Sequence, residues 1–359
     1  MARRVTIEEI ARHSNASPTT VSLVLRNKPG IGIETRHRVM AAAKALGYQR
    51  RERQTPDLEG LAAPTRNVGL IFRSRSRSPR DLLPGVNAFY SWVMIGVEAA
   101  ARAHGMNLLF ATLPVDDDNR TLDLPHLLLR QSLDGILLIG SFSAATADEI
   151  VGPRSAPVVL VDAPAGAHRY DAVVSDNEGG AYAATRYLID RGHRRIAFGG
   201  PRGDADPNFR QRRDGYVRAL REEGLRPIER SDVADLLHEH PDVTALFGAN
   251  DAFALDAMRA AQALGRNVPD DLSMVGFDDI EVAAQTSPAL TTLAVDKVSM
   301  GRLAVDALAF RLAWPDAARM VTMLEPTLLP RESVATGPAG EHANQVNTTT
   351  DAEAPLAAG

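Results

Sequence analysis

From residue 67 onward, short uninterrupted apolar runs recur along the chain, at 68–72, 108–110, 135–139, 158–161, 172–174, 196–198, 245–247 and 274–277. A strand covered on both faces needs no polar alternation, so runs of this length and Val/Ile/Leu content predict buried parallel strands. Helical stretches, 92–103 and 179–191 among them, lie between most of these runs. The alternation predicts a doubly wound α/β architecture with parallel sheets, and such sheets hold ligands at the carboxyl ends of their strands.

The first 48 residues have a different grammar. Thr6 and Glu9 stand at capping-box spacing, so a helix starts near Thr6, with Ile7, Ile10 and Ala11 as its buried stripe. Ser17 followed by Pro18 is an N-cap with proline at the first helical position, where its missing amide costs nothing. In that second helix Val21, Val24 and Leu25 face inward, which leaves Thr19, Ser22, Leu23 and Arg26 outward. A third helix is expected over 34–46, with Val39, Ala42, Ala43 and Leu46 inward and Gly47 ending it. The corner Asn15-Ala16 between the first two helices is short enough for a helix-turn-helix, whose second helix suits the major groove of DNA. Charge agrees: residues 1–55 hold eleven Lys and Arg against four carboxylates, a net of +7 on a chain of net −5, which leaves −12 for the rest. A basic head suits phosphate, and an acidic body does not.

Composition narrows the alternatives. A chain of 359 residues with 45% apolar content can furnish two or three cores. It has no cysteine, which removes disulfides, thiolate nucleophiles and cysteine metal sites. The basic start leads into a capped amphipathic helix rather than an export signal, and no apolar run approaches the ~20 residues of a membrane span. The expectation is a cytoplasmic protein. An enzyme has little to rest on: there is no Gly-x-Gly-x-x-Gly, phosphate loop or Gly-x-Ser-x-Gly elbow, and no cofactor is called for. His238 and His240 are spaced i, i+2, so their rings diverge on a helix and read as a solvated helix end rather than a metal site.

The residues Thr6 to Ala11, Ser17 to Leu25 with the core Thr20-Val21-Ser22, Glu34-Thr35-Arg36 and Leu46-Gly47-Tyr48 together resemble the head of the LacI/GalR family of bacterial transcription regulators. The resemblance implies a lambda-repressor-like helix-turn-helix whose second helix lies in the major groove. Pro18, Thr19 and Leu23 then stand where bases are chosen, while Thr6, Ser17, Thr20, Ser22 and Asn27 position the helix on the backbone. The family usually has arginine where this chain has Leu23, so the bidentate hold on guanine is lost and the expected operator differs from the commonest one, with apolar contact to a thymine methyl as one substitute. Residues 49–66 take the place of the family's hinge, in which a leucine enters the minor groove. Leu58 and Leu61 are both candidates, although Arg50-Arg51 and Gly60 depart from the pattern and a linker without a wedge is the alternative.

Residues 67–332 are similar to the family's two-lobed, periplasmic-binding-protein-like effector domain, and 333–359 form a polar tail expected to be disordered. Arg212 and Gly215 match the family's Arg-x-x-Gly, Asn250-Asp251 its Asn-Asp, and Asp278-Asp279 its Gly-Phe-Asp-Asp. The resemblance thus implies effector binding by Arg212, Asn250 and Asp278. Asp162 is a further acceptor for a hydroxyl, and Phe89 and Tyr90 an aromatic wall. Asp251 or Asp279 has helix capping as its alternative role, Phe89 the core. Carboxylate, amide, guanidinium and aromatic groups together suit a sugar. His193 matches a structural turn of the family. Between Gly224 and Ala245 the chain is too short for the usual strand, loop and full helix, so an edge strand or part of a helix should be missing. The expectation is a homodimeric repressor of carbohydrate-utilisation genes, with double-stranded operator DNA and a small effector as partners. A regulator that has lost its ligand response or uses a non-sugar effector is the first alternative, a solute-binding protein without a DNA role the second.

Overall fold

Thr6 starts the first helix by exchange of hydrogen bonds: its hydroxyl accepts from Glu9 N, and the Glu9 carboxylate accepts from Thr6 N at 2.9 Å. Helix α1 (Ile7–Ser14) ends on Asn15 in the left-handed region, and Ser17 Oγ then accepts from Thr20 N at 3.0 Å to open α2 (Pro18–Leu25). Helix α3 (Ile33–Ala45) closes the group. Ile10, Val21, Val24 and Val39, all buried, form the centre with Ala11, Ala42 and Ala43. Apart from Leu25, whose side chain is outside the described residues, the stripes read from the sequence are the ones that meet.

The protein is described by a computed structural model over residues 6–25, 31–46, 66–74, 88–116, 118, 120–130, 133–142, 144–152, 156–163, 169–201 and 206–338. The chain divides into a unit of residues 1–63 and a unit of residues 64–359. Asn27, Leu58, Leu61, residues 49–65 of the expected hinge and residues 339–359 of the expected tail lie outside the described residues. Arg66 instead opens a strand, and 333–338 are held in place rather than disordered, with buried Ser333 Oγ donating to Met274 O at 2.6 Å and accepting from Thr291 N at 2.8 Å.

The second unit has two lobes. The first is a six-stranded parallel sheet in the order β11-β5-β4-β3-β1-β2, built from β1 (Arg66–Ser74), β2 (Met106–Pro114), β3 (Gly135–Ile139), β4 (Val158–Val161), β5 (Asp171–Ser175) and β11 (Val321–Leu324). Alternate side chains serve opposite faces, as strand geometry requires. Leu70, Leu137, Val159 and Val173 meet α4 (Ala88–Ala103) and α11 (Lys297–Ala313), while Ile71, Ile136, Leu138 and Leu160 meet α5 (His126–Arg130) and α6 (Ala144–Val151).

The second lobe is a four-stranded parallel sheet, β7-β6-β8-β9, from β6 (Ile196–Gly199), β7 (Ile228–Arg230), β8 (Ala245–Gly248) and β9 (Ser273–Val275). Helices α7 (Asn177–Asp190) and α8 (Pro207–Glu222) cover one face, α9 (Val233–Glu239) and α10 (Asp251–Ala263) the other. The chain passes between lobes after β5, again between β10 (Thr292–Ala294) and α11, and once more between β11 and β12 (Thr327–Leu329), where β10 and β12 pair antiparallel.

The short segment before β8 keeps both of its elements in reduced form. Its edge strand has three residues and its helix seven, joined only by Ser231 and Asp232. The edge strand stays attached because buried Tyr216 reaches it: the phenol accepts from Ile228 N at 2.9 Å and donates to Ile196 O at 2.9 Å. His193 is buried in the turn before β6, with Nδ1 3.0 Å from Thr244 Oγ1 and Nε2 3.2 Å from Ala335 O; burial holds its pKa below the usual value. His238 and His240 lie at the end of α9, and no metal-ligating cluster is found among the described residues. No described helix is long and apolar enough to cross a membrane.

Candidate functional site

Two places carry chemistry. In the head, Val21 and Val24 turn inward, so Ser17, Pro18, Thr19 and Leu23 stand exposed and Ser22 half-buried at the open side of α2. Thr20 is half-buried, with its hydroxyl 2.8 Å from Ser17 Oγ. Thr6 and Ser17 are partly engaged as caps, which fixes the helix starts on which the outward side chains depend. Small hydroxyl-bearing residues at the amino end of a second helix can approach a phosphate or base edge closely, and the helix dipole favours the phosphate.

In the second unit, predicted effector residues converge where the two sheets present their carboxyl strand ends. Asp162 follows β4 with φ 59°, is buried, and accepts from Tyr90 OH of α4 at 2.7 Å on Oδ2. On its other side it accepts from Asn208 Nδ2 of α8, at 3.0 Å on Oδ1 and 2.9 Å on the backbone carbonyl. Burial raises the Asp162 carboxyl to about 7, against the hydrogen bond from Tyr90 and the charge of Arg212; burial and the Asp162 charge together push the Tyr90 phenol well up.

Arg212 is held from three directions. Nε donates to Asn177 Oδ1 at 2.8 Å, Nη1 donates to Ala249 O at 2.8 Å, and the guanidinium lies 3.7 Å over the Phe277 ring. Gly215, one turn on, lets α8 lie against α7: a Cβ there would fall 2.2 Å from Glu178 O. Arg212 Nη2 approaches Asp278 Oδ1 at 2.9 Å, a charge contact off the N–H direction, so this buried oxygen keeps no aligned donor. Burial raises the Asp278 carboxyl, opposed by Arg212 and Lys297. Asp278 and Asp279 both have positive φ, 104° and 50°. That strained pair is fixed by Asp278 N donating to Leu293 O and by Lys297 Nζ donating to both of their carbonyls.

Asp162, Tyr90, Arg212 and Asp278 are thus gathered in one charged network. Asn250 stands at the same rim, with its Oδ1 accepting from Phe253 N as the cap of α10. Asp251 is fully buried, accepting from Thr292 Oγ1 and Ile280 N, and burial pushes it up to about 7; it ties α10 to the crossing segment. Asp279 pairs with Arg331 at 2.6 Å, so neither acid is merely a helix cap. Phe89 takes the alternative role read for it: it is 6% exposed and packs into the core on Val93 and its neighbours, with its ring 5.1 Å from Tyr90 and Lys297 Nζ 5.8 Å above it. Sequence reasoning missed Asn208, Asn177, Arg73 and Lys297. Asp206-Pro207, Asp176 and Asp296 are each a helix N-cap that could have marked residues 208, 177 and 297 as first-turn positions, whereas no comparable local signal points to Arg73.

Comparison with known proteins agrees. Residues 6–51 match the family described as bacterial regulatory proteins, lacI family, and residues 185–334 match a periplasmic binding protein-like domain. The ribose operon repressor of Haemophilus influenzae is 32% identical over 346 residues, covering 92% of this chain and 98% of its own. The repressor CytR of Escherichia coli is 31% identical over 318 residues, 84% of this chain and 87% of its own. Among solved structures, a complex of the transcriptional regulator CelR with cellobiose aligns at TM-score 0.64 with 28% identity, over 92% of this chain and 100% of that one. The lac repressor dimer bound to operator and the anti-inducer ONPF aligns at TM-score 0.64 with 23% identity, over 93% of this chain and 100% of that one, a likeness of fold. Carrying both the head and the two-lobed body in the order of these relatives, the chain belongs to the LacI family and is a DNA-binding transcriptional repressor, not an enzyme.

Proposed function

We propose that the protein is a homodimeric repressor of carbohydrate-utilisation genes, whose grip on a pseudo-palindromic operator is set by a sugar or related polyhydroxy compound between the two lobes. Residues 1–48 read the operator through Pro18, Thr19 and Leu23, with Thr20 and Ser22 on its backbone, and residues 49–66 connect the head to the 67–332 body, with Leu58 or Leu61 as the minor-groove wedge. The observation that carries the effector reading is Asp278 Oδ1, a buried acceptor without an aligned donor beside Arg212, in a network that also holds Asp162 and Tyr90. A hydroxyl donating to that oxygen while accepting from a neighbouring cation is the chemistry it lacks. Names of relatives support the class, since they include a ribose operon repressor and a cellobiose complex. Support for the dimer is an apolar side on α4 and the edge strand β2, where Trp92, Ile95 and Phe110 are 43%, 52% and 46% exposed.

A second reading, a repressor of this family that no longer answers a sugar, is favoured by one observation: both carboxylate oxygens of Asp162 already hold protein donors, and two Arg212 nitrogens donate to its own chain. Fluorescence anisotropy of the full-length protein decides between them. Duplexes tiling the DNA upstream of its own gene are titrated across salt, alone and with D-ribose, cellobiose and other sugars. A tight palindrome-dependent complex released by one sugar supports the first reading. Tight binding that no sugar changes supports the second, and weak, sequence-blind, strongly salt-dependent binding overturns both.

A further inference from the structure

The first turn of α8 lies across the ends of three neighbouring strands of the opposite lobe. Asn208, 5% exposed, extends its carboxamide to Asp162 at the end of β4. Its backbone amide is 3.4 Å from Ser141 Oγ, just after β3. Asp206 Oδ2 of the same turn is 3.3 Å from Arg73 Nη1 on β1. Strands β4, β3 and β1 are consecutive in the sheet, so these contacts form one seam between the lobes rather than scattered touches.

From this seam we infer that Asn208 is a built-in clasp: it holds the two lobes together without a ligand by occupying, as an amide, the Asp162 acceptors that a bound hydroxyl compound would otherwise use. The two carboxylate oxygens of Asp162 are then both satisfied inside the protein, one by Tyr90 from its own lobe and one by Asn208 from the other. A buried carboxylate gains from both donors, and only the second is lost when the lobes part. Any compound that engages Asp162 must first displace the carboxamide, so its apparent affinity is its intrinsic affinity scaled by the fraction of open molecules. Residue 208 therefore selects ligands: those whose donors replace an amide N–H pair on Asp162 enter, and those that need the clasp left shut do not. The inference holds whether or not the effector is a sugar.

The absence of cysteine allows a direct test on the full-length chain. Ala145→Cys on α6 and Ala234→Cys on α9, exposed helix positions in the two lobes, accept spin labels, and the labelled chain is diluted with excess unlabelled chain so that distances within one protomer dominate. No small molecule and no DNA is added, so the outcome is independent of the effector reading. The parent chain should give one narrow distance distribution by double electron–electron resonance. Asn208→Ala should shift it to longer, broader distances. Asn208→Leu, of similar size and without a donor, should do so too; this second variant guards against a loss of packing in the first, and melting curves confirm that both fold. A broad, long distribution in the parent, or two folded variants that keep the parent distance, overturns the clasp.

Discussion

Arg212 and Asp278 face each other at 2.9 Å inside the second lobe, both almost wholly buried, with the Phe277 ring stacked beneath the guanidinium. The pair and its neighbours brace this lobe from within. Removing the guanidinium leaves the buried Asp278 carboxyl without its charge partner and the Asn177 amide oxygen and Ala249 carbonyl without their donors, a loss of about 3–5 kcal/mol by analogy with broken buried pairs. Urea unfolding of Arg212→Ala should show a midpoint lowered to match. Arg212→Lys keeps the charge but not the planar fork, and should recover only part. A loss under about 1 kcal/mol for the alanine variant would remove Arg212 from the structural role.

Thr19 and Ser22 stand on the open side of α2, away from the core formed by Val21 and Val24. Replacing both with glutamate sets two negative charges against the DNA backbone. Operator affinity should fall by about 100-fold or more, since the lost base contact at Thr19 alone costs ~1–3 kcal/mol and the new charge at position 22 repels the phosphates, while the melting temperature of the body is unchanged. Anisotropy and calorimetry on the same preparation measure both quantities. Retained operator affinity in a folded variant would refute the groove assignment.

Trp92 and Ile95 occupy the exposed side of α4, beside Phe110 on the edge strand. If that side joins two protomers, Trp92→Arg with Ile95→Asp yields a monomer by sedimentation. Two linked heads gain from effective concentration, so the monomer should lose about two orders of magnitude or more in operator affinity. A dimer that persists in the double variant places the interface elsewhere.

What the sequence made legible follows the range of the forces involved. The capping box at Thr6, the Ser17-Pro18 start and the apolar runs of the two sheets are local signals, and each appears where it was read. The edge strand β11 was not legible. Its residues alternate between exposed and half-buried, and it is set beside β5 by a distant anchor: Arg311 holds Asp171 through two nitrogens at 2.7 and 2.9 Å, and Asp171 in turn accepts from Met320 N. Strand β7 was hidden likewise, because three residues give no period and Tyr216 supplies what length does not. In the site, Arg212 and Asp278 were found through short motifs, whereas Asn208 is defined by a partner in the other lobe, 46 residues away. Phe89 and Tyr90 were read as one wall because adjacent residues look alike in sequence; on a helix they point about 100° apart, and only Tyr90 reaches Asp162.

Asp162 gives the body a characteristic dependence on pH. Its carboxyl is raised to about 7 by burial, while in the unfolded chain it titrates near the ordinary value of about 3.9. Between those two values the folded protein binds more protons than the unfolded one. The free energy of unfolding therefore decreases as pH rises through that window, by at most about 1.4 kcal/mol per pH unit for each such group. Asp251, also raised to about 7 by burial, adds in the same direction. Asp171, held low by Arg311 against its own burial, acts in the opposite sense and mostly below that window. The melting temperature should thus fall from about pH 5 to about pH 7.5 after the contributions common to all variants are subtracted. Asp162→Asn retains an acceptor for Asn208 and an amide beside the Tyr90 phenol, yet cannot titrate. Its decline over the same range should be shallower than that of the parent, with the two curves meeting toward acid pH. Parallel curves would mean that Asp162 titrates alike in the folded and unfolded chains, and that Tyr90 and Asn208 donate to a carboxylate far better hydrated than its burial implies.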